Sequence, residues 1–107
     1  MVYFFTDGEN IKIGYTSQNI KSRLKQLQTG SSKKILSLGW IEGDKKTEGL
    51  LHKKFQKYRT FSDGEWFFPD DSLISYINSN NLKENTYVDI VNGKVTSFLS
   101  ISVNKKL

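Results

Sequence analysis

Val2-Tyr3-Phe4-Phe5-Thr6-Asp7-Gly8-Glu9-Asn10-Ile11-Lys12-Ile13-Gly14-Tyr15 decides the fold. Two β-prone runs flank Asp7-Gly8-Glu9-Asn10, whose residues are turn formers, so the stretch reads as a β-hairpin. Tyr3 falls in the first strand and Lys12 in the second. If the register puts them on one face, the ammonium lies near the phenol. A free phenol titrates at about 10, and a neighbouring cation favours the phenolate. The plainer reading is a packed strand aromatic beside a solvent-facing lysine.

Working outward, Thr16 to Asn19 supplies capping residues, Ile20, Leu24 and Leu27 recur at helical spacing, and Gly30 stops the helix. Ile35 to Ile41 reads as a third strand, ended by Glu42-Gly43-Asp44. A second helix capped by Asp44 or Thr47 carries Leu51, Phe55 and Tyr58 inward, with Leu50 widening the stripe. Thr60 to Phe68 is an irregular aromatic segment turning at Gly64. Pro69-Asp70-Asp71 opens a third helix with Leu73, Ile74 and Ile77 inward, and Asn78 to Asn85 is a polar connector. Tyr87 to Val91 and Lys94 to Val103 flank Asn92-Gly93, the strongest hairpin signal in the chain. The expected fold class is α/β: a three-stranded antiparallel sheet flanked by helices in the order β-β-α-β-α-α, with an appended C-terminal β-hairpin. Residues 1–80 form the expected domain, and 81–107 a connector and hairpin extension.

The chain has 107 residues, enough for one core, and no cysteine, which excludes a disulfide framework and a thiolate zinc site. It has no apolar run of the ~20 residues a membrane span needs. The early polar Asp7-Gly8-Glu9-Asn10 argues against a signal peptide, so the expected location is the cytoplasm, with no membrane partner. Lys12 to Ser62 holds twelve basic and three acidic residues, whereas Asp63 to Ile90 holds one basic and six acidic. A basic half of a small domain attracts a polyanion, and it is equally what lysine used for solubility produces.

Phosphate-ester chemistry needs an activated nucleophile, a cation for the phosphoryl oxygens and usually a hard metal on carboxylate. Arg23 flanks the apolar stripe of the first helix, where its planar five-donor fork suits a phosphate or serves as an ordinary helix edge. Glu48 and His52 stand at i, i+4 on one helix face, able to hold Mg²⁺ and move a proton, or to form a weak surface contact. Glu65 is a carboxylate inside the aromatic Gly64-Glu65-Trp66-Phe67-Phe68 segment; it is either paired with a cation such as Arg59 or His52, or it is a site residue.

Taken in order, these residues resemble the GIY-YIG nuclease superfamily, in its small phage-associated branch named after a phage T5 open reading frame. Val2-Tyr3-Phe4 stands where the first motif lies, and Lys12-Ile13-Gly14-Tyr15-Thr16 where the second does. The likeness continues through Arg23-Leu24, Gln26-Leu27-Gln28-Thr29-Gly30, Glu48, Leu51-His52, Phe55, Arg59 and Gly64-Glu65-Trp66-Phe67. The resemblance implies metal-dependent hydrolysis of DNA phosphodiesters with Mg²⁺ or Mn²⁺ as cofactor. Carried over by position, Tyr3 helps activate the attacking water, Lys12 replaces the second-motif tyrosine, and Arg23 contacts the scissile phosphate. Glu48 is the metal carboxylate with Glu65 as its rival, and His52 assists proton transfer. Tyr15, Lys21, Lys25, Lys53 and Arg59 are the expected DNA contacts. Better-known members place the metal glutamate near Leu51 to Lys53, where this chain has Lys53, and the first-motif glycine is absent.

Two other readings stand beside the endonuclease. One is the same fold as a catalytically weak or inactive nucleic-acid-binding module. The other is self-association through the 86–103 hairpin. The DNA itself can be single-stranded or presented as ends.

Overall fold

In the computed structural model, residues 1–61, 64–80 and 86–99 are described. Strands β1 (Val2–Thr6) and β2 (Ile11–Tyr15) form the expected hairpin, with Tyr3 opposite Gly14 and Phe5 opposite Lys12. Asp7 Oδ1 closes the turn by accepting from the Glu9 and Asn10 N–H groups, both at 2.9 Å. Directly opposed residues share a face and strand neighbours alternate. Tyr3, Phe5, Lys12 and Gly14 therefore line one face, and Val2, Phe4, Ile11 and Ile13 the other.

Strand β3 (Leu36–Ile41) pairs antiparallel with β1 through a bulge at Phe4/Phe5, where Gly39 takes a φ of 116°. The sheet has four strands rather than the expected three. Trp66–Phe67 forms β4 against β2, giving the order β3-β1-β2-β4. Two residues are too few for a periodic signal. The strand exists because the backbone on its other side is also engaged: Thr60 N–H donates to the Trp66 carbonyl at 3.0 Å and Phe68 N–H to the Tyr58 carbonyl at 2.7 Å.

Helix α1 (Ile20–Thr29), capped by Asn19 on the Ser22 N–H, covers the Tyr3–Phe5 face with Ile20, Leu24 and Leu27. Helix α2 (Lys45–Lys54) and helix α3 (Asp71–Ser79) cover the opposite face. There Leu51, Phe55, Leu73, Ile74 and Ile77 bury Phe4, Ile11 and Ile13, and burial of each such side chain is worth about 1.5–3 kcal/mol. Asp44 and Thr47 cap α2 reciprocally, each side chain bonded to the other residue's backbone N–H. Leu50 does not widen the apolar stripe: one residue before Leu51 is about 100° round the helix, and it stands 69% exposed.

Asn78 belongs to α3 rather than to the connector, and clips on the C-terminal hairpin. Its amide donates to the Val88 carbonyl and accepts from the Val88 N–H, both at 2.8 Å. The hairpin, β5 (Thr86–Val91) and β6 (Lys94–Leu99), turns at Asn92 (φ 53°) and Gly93 (φ 76°), the two left-handed positions of a type I′ turn. Val88 and Val95 join the main core; Tyr87, Val91 and Phe98 lie on the opposite, outward face, whereas Ile90 shares the inner face with Val95 and is only partly covered. Residues 81–85 and the expected strand end at 100–103 lie outside the described residues. Among the described residues no helix is long and apolar enough to cross a membrane.

Candidate functional site on the free edge of the second strand

Strand β4 covers only the first part of β2. It pairs with Ile11 and Lys12, and the last contact is the Ile13 N–H donating to the Glu65 carbonyl at 3.0 Å. Beyond that point three consecutive residues of β2 each receive one candidate side chain. His52 Nε2 donates to the Ile13 carbonyl at 2.7 Å. The Tyr3 ring lies over Gly14. The Glu48 carboxylate accepts from the Tyr15 N–H. The i, i+4 spacing of Glu48 and His52 thus places both along one strand edge, a turn of helix apart.

Tyr3 is fully buried and stacks on Phe5 with ring centroids 4.2 Å apart. Its hydroxyl accepts from Arg23 Nε at 3.3 Å, so Arg23 reaches off α1 toward the sheet. Burial raises the pKa of the phenol; the Arg23 hydrogen bond and charge pull it back, and the carboxylates of Glu65 and Glu48 push it up again. This corrects the expectation of a cation-stabilised phenolate. Lys12 does share the face of Tyr3, but its ammonium is committed elsewhere, 2.8 Å from Glu65 Oε1 and 5.6 Å from the Trp66 ring centre. The counter-ion of Glu65 is accordingly Lys12, not Arg59 or His52.

Glu48 is half-buried and its carboxyl pKa lies above the usual range. Burial is the first cause and the Glu65 charge the second, opposed by His52, the Tyr15 N–H and Lys12. Tyr3, Arg23, Lys12, Glu48, His52 and Glu65 thus meet around one stretch of strand. Tyr15 sits at its end, beside Arg23 in a small polar cavity. The other expected contacts are more dispersed. Lys21 and Lys25 lie on the side of α1 toward Leu24 and Ile35, away from Arg23. Lys53 is exposed on α2, and the Arg59 guanidinium rests 5.8 Å from the Phe67 ring centre.

Gln26 and Gln18 are the participants that sequence reasoning missed. Arg23 Nη1 donates to Gln26 Oε1 at 3.3 Å, and Gln26 Nε2 donates to Gln18 Oε1 at 3.1 Å. The i, i+3 spacing of Arg23 and Gln26 was the available signal. Gly14 was missed as a structural requirement of Tyr3, and no sequence pattern short of the strand register reveals it.

A four-stranded antiparallel sheet between helices, with arginine, tyrosine, lysine, two glutamates and a histidine gathered at one strand edge, defines an α/β domain with a mixed cluster of ionisable side chains. Residues 1–85 match the T5orf172 domain, and the chain belongs to that phage-associated family, which is placed with the GIY-YIG-like nucleases. Membership points to a nuclease-like or DNA-binding role. No curated protein and no solved structure matches the chain.

Proposed function

We propose that this chain is a divalent-metal-dependent endonuclease that hydrolyses DNA phosphodiester bonds in the cytoplasm. The observation that carries the reading is the convergence of His52, Tyr3 and Glu48 on Ile13, Gly14 and Tyr15, with Arg23 bonded to Tyr3. Among the described residues no three His, Asp or Glu side chains form a ready metal cage. That donor set still suits Mg²⁺ or Mn²⁺, because these ions keep several waters and need only one or two carboxylates plus phosphate oxygens. Glu48, whose carboxylate is raised by burial and by Glu65, is the residue that gains most from a cation and would hold it. When bound, the cation supplies Lewis-acid stabilisation of the phosphoryl oxygens.

The rest is the work of this chain's own side chains. Arg23 keeps Nη2 for the phosphate while Nε holds the Tyr3 oxygen. Tyr3 remains a neutral, fully buried phenol whose oxygen accepts from Arg23, so it holds the guanidinium in place while the attacking water gives its proton to bulk solvent. Lys12, tied to Glu65, contributes charge from a fixed position. Removing a positioned donor of the Arg23 kind costs about 10²–10³ in rate.

A binding module is the second reading, favoured by a specific observation: Lys12 already has a counter-ion, His52 Nε2 already has an acceptor, and the phenol is held neutral. Supercoiled-plasmid nicking separates the two. The endonuclease nicks with Mg²⁺ or Mn²⁺ and stops in EDTA. Salt-sensitive binding in EDTA without nicking under any metal supports the module. Neither binding nor nicking overturns both.

A further inference from the structure

We infer that Gln26 and Gln18 form a relay that positions Arg23, aiming its guanidinium at the backbone phosphate that the DNA reading seats in the cavity beside it. This rests on the DNA reading above and adds to it the residues that orient the arginine. The cavity measures about 270 Å³ and is lined by Tyr15, Thr16, Ser17, Gln18, Arg23 and Gln26, with no acidic side chain among them.

The polarity of the relay follows from chemistry. A guanidinium only donates. Its Nε is taken by the Tyr3 oxygen and its Nη1 by Gln26, both at 3.3 Å. Gln26 must therefore turn its oxygen to Arg23, which leaves its NH₂ for the Gln18 oxygen at 3.1 Å. Flipping either amide breaks the chain, so the orientation is fixed by the network. The free ends of the relay, Arg23 Nη2 and the Gln18 NH₂, are both donors. The Thr16 hydroxyl oxygen is turned inward, accepting the Gln18 N–H at 3.0 Å.

A cavity presenting a charged donor and an amide donor, with no acid, takes an acceptor-only anion better than a base edge of mixed donors and acceptors. A phosphodiester has that chemistry. Gln26 is then a positioning residue: it supplies no charge to the phosphate but fixes the angle at which Arg23 does.

The test uses the full chain, a fluorescein-labelled 20-nucleotide single strand for anisotropy in EDTA, and the same strand for single-turnover cleavage in Mn²⁺. Gln18 and Gln26 are exposed, so their variants keep the fold. Losing one aiming hydrogen bond in Gln26→Ala lowers cleavage about tenfold, with binding changed less than about threefold. Gln26→Glu brings a negative charge into the cavity and weakens binding about tenfold or more, with a flatter salt dependence. Gln18→Ala lowers cleavage about threefold. Wild-type binding by Gln26→Glu, or wild-type cleavage by all three variants, overturns the relay while leaving the nuclease reading standing. If the parent chain binds without cleaving, the comparison of Gln26→Glu with Gln26→Ala in binding decides alone. If it neither binds nor cleaves, the DNA reading fails and the relay with it.

Discussion

The ring of Tyr3 lies so close across Gly14 that a Cβ at residue 14 would stand 2.3 Å from both Cζ and the hydroxyl oxygen of the tyrosine. No flexible neighbour relieves that overlap, because Tyr3 is fully buried and stacked on Phe5. The small residue of the second motif is thus a consequence of the large one of the first. Gly14→Ala should displace the phenol from Arg23, destabilise the fold by about 1–3 kcal/mol, as overpacking does, and remove nicking. Urea denaturation and plasmid nicking on the same preparation check it. Wild-type stability would show that the Tyr3 ring has room to move.

Glu48 gives a prediction with a sign. Its pKa is raised in the folded chain, so the folded state holds that proton more tightly than the unfolded state does. The stabilisation belonging to the neutral acid is complete below the unfolded value, about 4.3 for a free glutamate, and is lost as pH rises through the higher folded value. At neutral pH an ionised Glu48 therefore works against folding. In EDTA at pH 7, Glu48→Gln should melt higher than the parent, and the gap should close as pH falls below that range. Added Mn²⁺ should raise the melting temperature of the parent and not of the variant. A variant that melts lower at pH 7 would mean that the Tyr15 N–H and His52 outweigh burial at this carboxylate.

Lys12 and Glu65 form a pair whose side chains are 10% and 39% exposed, so the lysine is the member that depends on its partner. Glu65→Gln leaves a nearly buried ammonium without a full counter-charge and should cost about 1–2 kcal/mol, less than breaking a fully buried pair because water screens the glutamate side. If Glu65 serves Lys12 rather than the metal, the Mn²⁺ concentration for half-maximal nicking should stay the same in Glu65→Gln and rise in Glu48→Gln. A metal titration on the two variants reads this directly. An equal rise in both would make Glu65 a metal ligand.

Much of this was legible in the chain because local chemistry and tertiary structure agree. The Asp7 turn, the Asn19 and Asp44 caps, the Leu73-Ile74-Ile77 stripe and the Asn92-Gly93 turn each act within a few residues. What escaped depends on partners far along the sequence. Strand β4 is two residues whose ladder is supplied by β2 and by the Tyr58–Thr60 backbone. The Lys12–Glu65 pair spans 53 positions, so spacing could suggest that Glu65 needs a cation but not which one. The Tyr3 pKa went the other way because burial, which no short pattern measures, outweighs the Arg23 charge.

His52 separates a proton carrier from a brace. Its Nε2 already donates to the Ile13 carbonyl at 2.7 Å, and its ring packs 5.2 Å from that of Phe67. A glutamine amide nitrogen reaches roughly where Nε2 stands, so His52→Gln can keep the bond to Ile13 but cannot relay a proton. His52→Phe keeps the ring packing and leaves a buried carbonyl without its donor, at about 1–3 kcal/mol. If the histidine acts by fixing the strand edge beside Glu48, His52→Gln should retain most of the melting temperature and most of the nicking, while His52→Phe loses both. If the imidazole moves a proton in the reaction, His52→Gln should be as inactive as His52→Phe while melting close to the parent. Nicking rates set against thermal melts of the two variants decide between them.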